Sequence, residues 1–156
     1  YRTYEENATV KAVSYCRASG MITVADDSGI EVAALDWTPG VDTAHYGGAE
    51  VTDKVAHLLA ETDGAVDRRA KMVCVIAIAI PEADGPRVEL FRGEVEGTLA
   101  LERTGDGGFG YDPVFLLPTG VTTAQLPEAE KNRVSHRGRA AAAARPRLAE
   151  LLGDHR

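Results

Sequence analysis

The chain is poor in the residues that would tie it to a disulfide scaffold, a metal cluster or a membrane. Only two of its 156 residues are cysteines. Cys16 and Cys74 lie far apart, without metal-ligand spacing and in apolar surroundings, which predicts two reduced, buried thiols in a cytoplasmic protein. Long hydrophobic runs are missing as well. The longest, residues 72–81, is far too short for a bilayer helix, and no leader pattern opens the chain. Positive charge is outweighed, 17 Lys and Arg against 24 Asp and Glu, and the net charge of −7 argues against nucleic acid or a membrane surface as the main partner. Aromatics make up only 6% of the residues, so an aromatic inside a glycine-rich loop stands out.

What is present suits one soluble globular domain, residues 1–156, with 44% hydrophobic and 26% charged residues. Thr3-Tyr4-Glu5-Glu6 has the form of a capping box and opens a helix that stops at Ser19-Gly20. A short strand over residues 21–25, an acidic turn and a second strand over 30–35 follow, then a loop between Pro39-Gly40 and Gly47-Gly48. Residues 52–61 read as a helix. Residues 69–80 form a strand apolar at every central position, hence buried on both faces, and 88–101 pairs with it through a turn at 81–86. A short strand over 114–117 precedes a last helix capped by Ser135, with a kink or break expected at Pro146. Mixed strands and helices predict an α/β domain with a mixed, twisted sheet.

Three segments carry the chemistry. Ala25-Asp26-Asp27-Ser28-Gly29 puts two carboxylates where an apolar strand is predicted to end. Strand neighbours face opposite ways, so one of the two, Asp27 nearer the turn, is the better candidate for a hard cation or for activating a water. The alternative is a solvated turn. Gly105-Asp106-Gly107-Gly108-Phe109-Gly110-Tyr111-Asp112-Pro113 is glycine-rich but is no P-loop, since no Lys-Ser or Lys-Thr follows. Its aromatics either stack on a base or plug the core. Ser135-His136-Arg137-Gly138-Arg139 crowds potential cations into the first turn of a helix, against the helix dipole, and spends a glycine there. Such local rule-breaking points to a site for an electron-rich group, the alternative being a solvated basic helix start. Lys131, Arg133, Arg137, Arg139, Arg145 and Arg147 gather in the same C-terminal region, enough for one anion-facing surface.

In this order and at these separations the three segments resemble the inosine/xanthosine triphosphate pyrophosphatase family. Thr3-Tyr4-Glu5-Glu6-Asn7-Ala8 with Lys11, and Pro39-Gly40-Val41 followed by Tyr46-Gly47-Gly48, extend the match over essentially the whole chain. The resemblance implies a sheet flanked by helices around a nucleotide cleft, a homodimer, and Mg²⁺-dependent hydrolysis of inosine and xanthosine triphosphates, ribo or deoxy, to monophosphate and pyrophosphate. It implies that Asp27, supported by Asp26, holds the metal and orients the water. Lys11 and Lys131 would meet phosphates and Ser28 the substrate. Phe109, Gly110, Tyr111 and Asp112 would form the base pocket, and His136 and Arg137 would read a carbonyl at the purine six-position, where an adenine amino group would present donors to donors.

The family's Ser/Thr-x-Asn-x-x-Lys loop does not occur between Tyr1 and Arg156, nor does an acidic residue that helps hold the metal just upstream of Thr3. A domain lacking the family's first strand and helix is therefore expected. His45 stands where a stronger cation is usual, and Gln125 replaces a common acid. A nucleotide-binding module without catalysis is the alternative these departures raise. A pyrophosphatase for modified pyrimidine or methylated nucleotides is a third, disfavoured by the His136-Arg137 pair.

Overall fold

The computed structural model describes residues 2–50 and 52–153. Thr3 caps α1 (Tyr4–Ser19): its Oγ1 accepts the Glu6 N–H at 3.1 Å, while the Glu6 carboxylate turns to the Arg2 N–H at 2.8 Å. The expected box is half closed. Gly20, left-handed at φ 68°, ends the helix by donating its N–H to the Cys16 carbonyl. The buried residues Tyr4, Ala8, Ala12 and Cys16 recur at i+4 and form one stripe.

That stripe lies on a sheet of β1 (Thr23–Val32), β2 (Thr38–Pro39), β3 (Arg69–Ile80), β4 (Arg87–Leu99) and β5 (Phe115–Leu116), in the order β2-β1-β3-β4-β5. The α/β class is as expected. Every pairing among the described residues is antiparallel, however, where mixed directions were expected. The short link at 81–86 allows nothing else between β3 and β4.

β3 explains its own apolar run. Val73, Val75, Ala77 and Ala79 pack under α1, while Cys74, Ile76, Ile78 and Ile80 face Ala140 and Ala144 of α4 (His136–Leu151). A third cluster joins Ile30, Val32, Met72, Val95, Leu99, Tyr111 and Phe115 to Val55 and Leu58 of α2 (Lys54–Glu61). α4 runs on through Pro146 without the expected break. An unanticipated helix, α3 (Glu128–Val134), leads into it. Gly138 is what lets the two helices meet, since a Cβ there would overlap the Asn132 carbonyl.

The largest departure is at the acidic segment. Instead of a strand end, a turn and a new strand, β1 runs unbroken, pairing Asp26 with Ile76, Asp27 with Val75, Ser28 with Cys74 and Gly29 with Val73. Residues 33–35 form a 3₁₀ turn rather than strand. Each carboxylate finds a side-chain partner on its own side of the sheet, so neither needs the water of a turn. Gly29 provides room rather than a bend: a Cβ would overlap the Gly40 carbonyl oxygen and stand 2.6 Å from Thr43 Oγ1 and 2.9 Å from Tyr4 Oη. The 3₁₀ helix Gly40–His45, expected as plain loop, seats on β1 there. Gly29→Ala is expected to destabilise the fold by about 2–3 kcal/mol, read as a lower denaturant midpoint. An unchanged midpoint would show that this helix shifts freely.

Candidate active site

β2 pairs only with Glu31 and Val32 of β1, so residues 23–30, paired with β3 on one side, have no strand partner among the described residues on the other. Concavities lie on both sides of that strand. On the α1 side, Asp27 Oδ1 accepts from Lys11 Nζ at 2.8 Å and Oδ2 from Asn7 Nδ2 at 3.0 Å. Asn7 and Lys11 are one helical turn apart, so α1 presents both to the same carboxylate. Lys11 Nζ also donates to the Asp26 carbonyl at 2.6 Å. The Lys11 side chain keeps 46% of its surface open and that of Asp27 17%. With Asp42 and His45 they border a cleft of about 420 Å³.

On the α4 side the chemistry changes. Ser28, Ile30, Met72, Lys54, Tyr111 and His136 are among the walls of a cavity of about 240 Å³. A second cavity of about 220 Å³, reaching Lys131, Asn132 and Gly138, shares Phe109 and His136 with the first. The two readings of the aromatic loop divide between its two rings. Tyr111 is buried in the core cluster, where loss of water raises its hydroxyl to about 12 and its Oη lacks a hydrogen-bond partner among the described residues. Phe109 is 62% exposed. Its ring is approached by Lys131 Nζ at 4.6 Å and the Arg137 guanidinium at 5.0 Å.

Asp112 organises this loop. Buried to 2% exposure, it accepts from the Phe109 N–H and from Thr123 Oγ1, each at 2.8 Å, and from Lys131 Nζ. The Lys131 side chain is only 12% exposed, and this contact groups it with the aromatic loop and not with Lys11. Asp26 and Asp27 are not brought together either. Asp26 Oδ2 accepts from Arg137 Nε at 3.1 Å and Nη2 at 2.9 Å, across the sheet from the Asp27 side chain.

His136, expected among the cations, is buried and neutral at pH 7. Loss of water, and then the neighbouring Arg137 charge, lower it from 6.5 to about 4. A neutral imidazole offers one N–H and one lone pair. Because the folded state resists protonation, this histidine costs nothing above pH 6.5 and progressively weakens the fold as pH falls from 6.5 towards 4. The melting temperature should therefore decline over that window, and less steeply in His136→Gln. Equal slopes for the two proteins would refute a buried, neutral His136.

Sequence reasoning assigned no role to Asn7, Lys54, Thr43 or Met72, which also bound these cavities. Of these only Asn7 carried a readable signal, its i, i+4 spacing from Lys11. Among the described residues no three His, Cys, Asp or Glu side chains stand close enough to hold a metal ion by themselves, and no helix is long and apolar enough to cross a membrane.

The Ham1 family pattern matches residues 1–147. The dITP/XTP pyrophosphatase of Methylococcus capsulatus is 46% identical over 97% of this chain and 77% of its own length. That of Mycobacterium bovis is 48% identical over 96% of this chain and 74% of its own. The solved Ham1 protein of Staphylococcus aureus superposes with a TM-score of 0.84 at 38% identity, covering 99% of this chain and 79% of that one.

Proposed function

The chain belongs to the Ham1 family, and from that premise we propose that it hydrolyses inosine and xanthosine triphosphates, ribo or deoxy, to the monophosphate and pyrophosphate. One observation supports this most directly: adjacent residues of β1 serve the two different cavities. Asp27 borders the charged cleft with Lys11, and Ser28 borders the apolar cavity with His136. A nucleotide lying across this strand would have its phosphates on one side and its base on the other.

In this reading the base enters the apolar cavity against Phe109. The Arg137 guanidinium and the neutral His136 imidazole donate hydrogen bonds to the six-position carbonyl. Adenine offers an amino group there and leaves those donors unpaired, which is how a hydrogen-bonding site rejects an analogue. Lys131 supports the ring of Phe109, and Asp112 with Gly110 and Tyr111 holds the loop that carries it. Lys11 places a cation at the phosphates.

Asp27 takes the proton of the water that attacks the α-phosphorus, as the bond to the bridging oxygen breaks and pyrophosphate leaves. A phosphate cleft bordered by two carboxylates, Asp27 and Asp42, fits Mg²⁺, which is commonly held by one or two carboxylates plus substrate phosphates and keeps several waters; it does not fit Zn²⁺, which needs three or four protein ligands. Asp27 is the residue that would hold it. Bound there, Mg²⁺ would neutralise phosphate charge and acidify a coordinated water. The homodimer expected from the resemblance belongs to the same proposal and is checked by sedimentation.

Pyrophosphate release from dITP, ITP and XTP with Mg²⁺, against ATP as control, tests the reading. A strong preference for the oxo-purines is the expected result. Equal turnover of ATP, or binding of dITP without any release, would overturn it.

A further inference from the structure

Arg137 is held with unusual completeness for a side chain that is 41% exposed. Its Nε and Nη2 both donate to Asp26 Oδ2, at 3.1 and 2.9 Å, and Nη2 also reaches Ser28 Oγ at 3.2 Å. The Cys74 thiol of β3 stands 3.7 Å from the same carboxylate oxygen, as a weak third donor. The guanidinium carbon lies 5.0 Å from the centre of the Phe109 ring. These contacts use one edge of the guanidinium. Among the described residues none accepts a hydrogen bond from Nη1, so its two N–H groups are unspent there.

We propose that Asp26 is a positioning residue for base selectivity, acting through Arg137, and not a ligand of the metal. The proposal rests on the reading of the site given above. A free arginine side chain samples many rotamers, and ordering it counts against whatever it binds. Here a carboxylate on the strand next to the catalytic aspartate fixes the guanidinium plane before substrate arrives. The unspent Nη1 group is then presented at one position and in one orientation, so a carbonyl oxygen gains a prepared donor and an amino group meets only repulsion. The alternation of β1 gives the two adjacent aspartates separate tasks. Asp27 faces α1 and the phosphate side, whereas Asp26 faces α4 and the base side. The Asp26 side chain is 39% exposed, so replacing it should not undo the core.

The test compares wild type, Asp26→Asn, Arg137→Ala and the double variant for kcat/KM with dITP and ATP, together with the Mg²⁺ concentration for half-maximal rate and the melting temperature. Asp26→Asn should lower the dITP-over-ATP ratio by about tenfold, the scale of losses when a residue that orients a functional group is removed. The loss should fall mainly on KM for dITP, with half-maximal Mg²⁺ unchanged. In the Arg137→Ala background the same substitution should change the ratio no further, because the group it positions is gone. A merely structural role would lower the melting temperature without this coupling. An unchanged ratio in Asp26→Asn overturns the inference alone, as does a raised Mg²⁺ requirement with selectivity intact. A wild type with no preference for dITP overturns the reading of the site as well.

Discussion

Asp27→Asn is expected to lower kcat for dITP by about a thousandfold, within the range that general-base and metal-assisted steps contribute, while KM and the melting temperature stay close to those of wild type. The substitution keeps the shape of the side chain, and Asn7 can still meet its oxygen. What disappears is the charge that takes a proton and holds a cation. Lys11 loses its carboxylate partner, but with 46% of its side chain exposed it remains hydrated, so little stability is at stake. The effect should therefore sit in kcat and in the Mg²⁺ requirement, the opposite signature from that of Asp26→Asn. Near-normal turnover would remove Asp27 from the chemistry.

The contrast between the two aspartates also marks where sequence reasoning ran out. α1 was readable because its start and its stripe are local: Thr3 caps within one turn and Tyr4, Ala8, Ala12 and Cys16 share a face. β3 was readable because burial on both faces leaves no polar position along most of its length. β1 was not, because Asp-Asp-Ser-Gly has the composition of a turn and its strand character comes from partners far away. Arg137, 111 residues later, satisfies Asp26, and the Gly40 backbone occupies the space that Gly29 leaves. Once the strand is known to be continuous, its period of two alone separates Asp26 from Asp27. α3 was missed because Glu128-Ala-Glu-Lys-Asn-Arg-Val134 carries no apolar stripe and buries no residue. The neutral state of His136 had no local signal either, since residue type does not report burial. The motifs brought by resemblance named candidate residues without saying how they group. The packing shows which side of the sheet each one serves.

Asp112→Ala is expected to be the most destabilising change in the site, at about 3–5 kcal/mol, the cost of removing one partner of a buried ion pair. Three donors converge on this carboxylate: the Phe109 N–H, the Thr123 hydroxyl and the Lys131 ammonium. Alanine would strand the Phe109 N–H and the Lys131 ammonium and leave Thr123 Oγ1 only its 3.3 Å contact with the backbone carbonyl of residue 112, and the Lys131 side chain, only 12% exposed, cannot recover its water without moving. The loop carrying Phe109 would then lose the contact that folds it, so KM for dITP should rise together with the fall in denaturant midpoint. The two effects can be separated. Removing the buried cation as well, by combining Asp112→Ala with Lys131→Met, eliminates the stranded charge and should restore much of the stability. It should not restore the KM, because the Phe109 N–H regains no partner and its ring has lost the Lys131 ammonium. If Asp112→Ala unfolds at the wild-type midpoint, the pair is a solvated contact and the aromatic loop is held by other means. If the double variant recovers both stability and KM, Asp112 serves the fold alone and takes no part in shaping the base pocket.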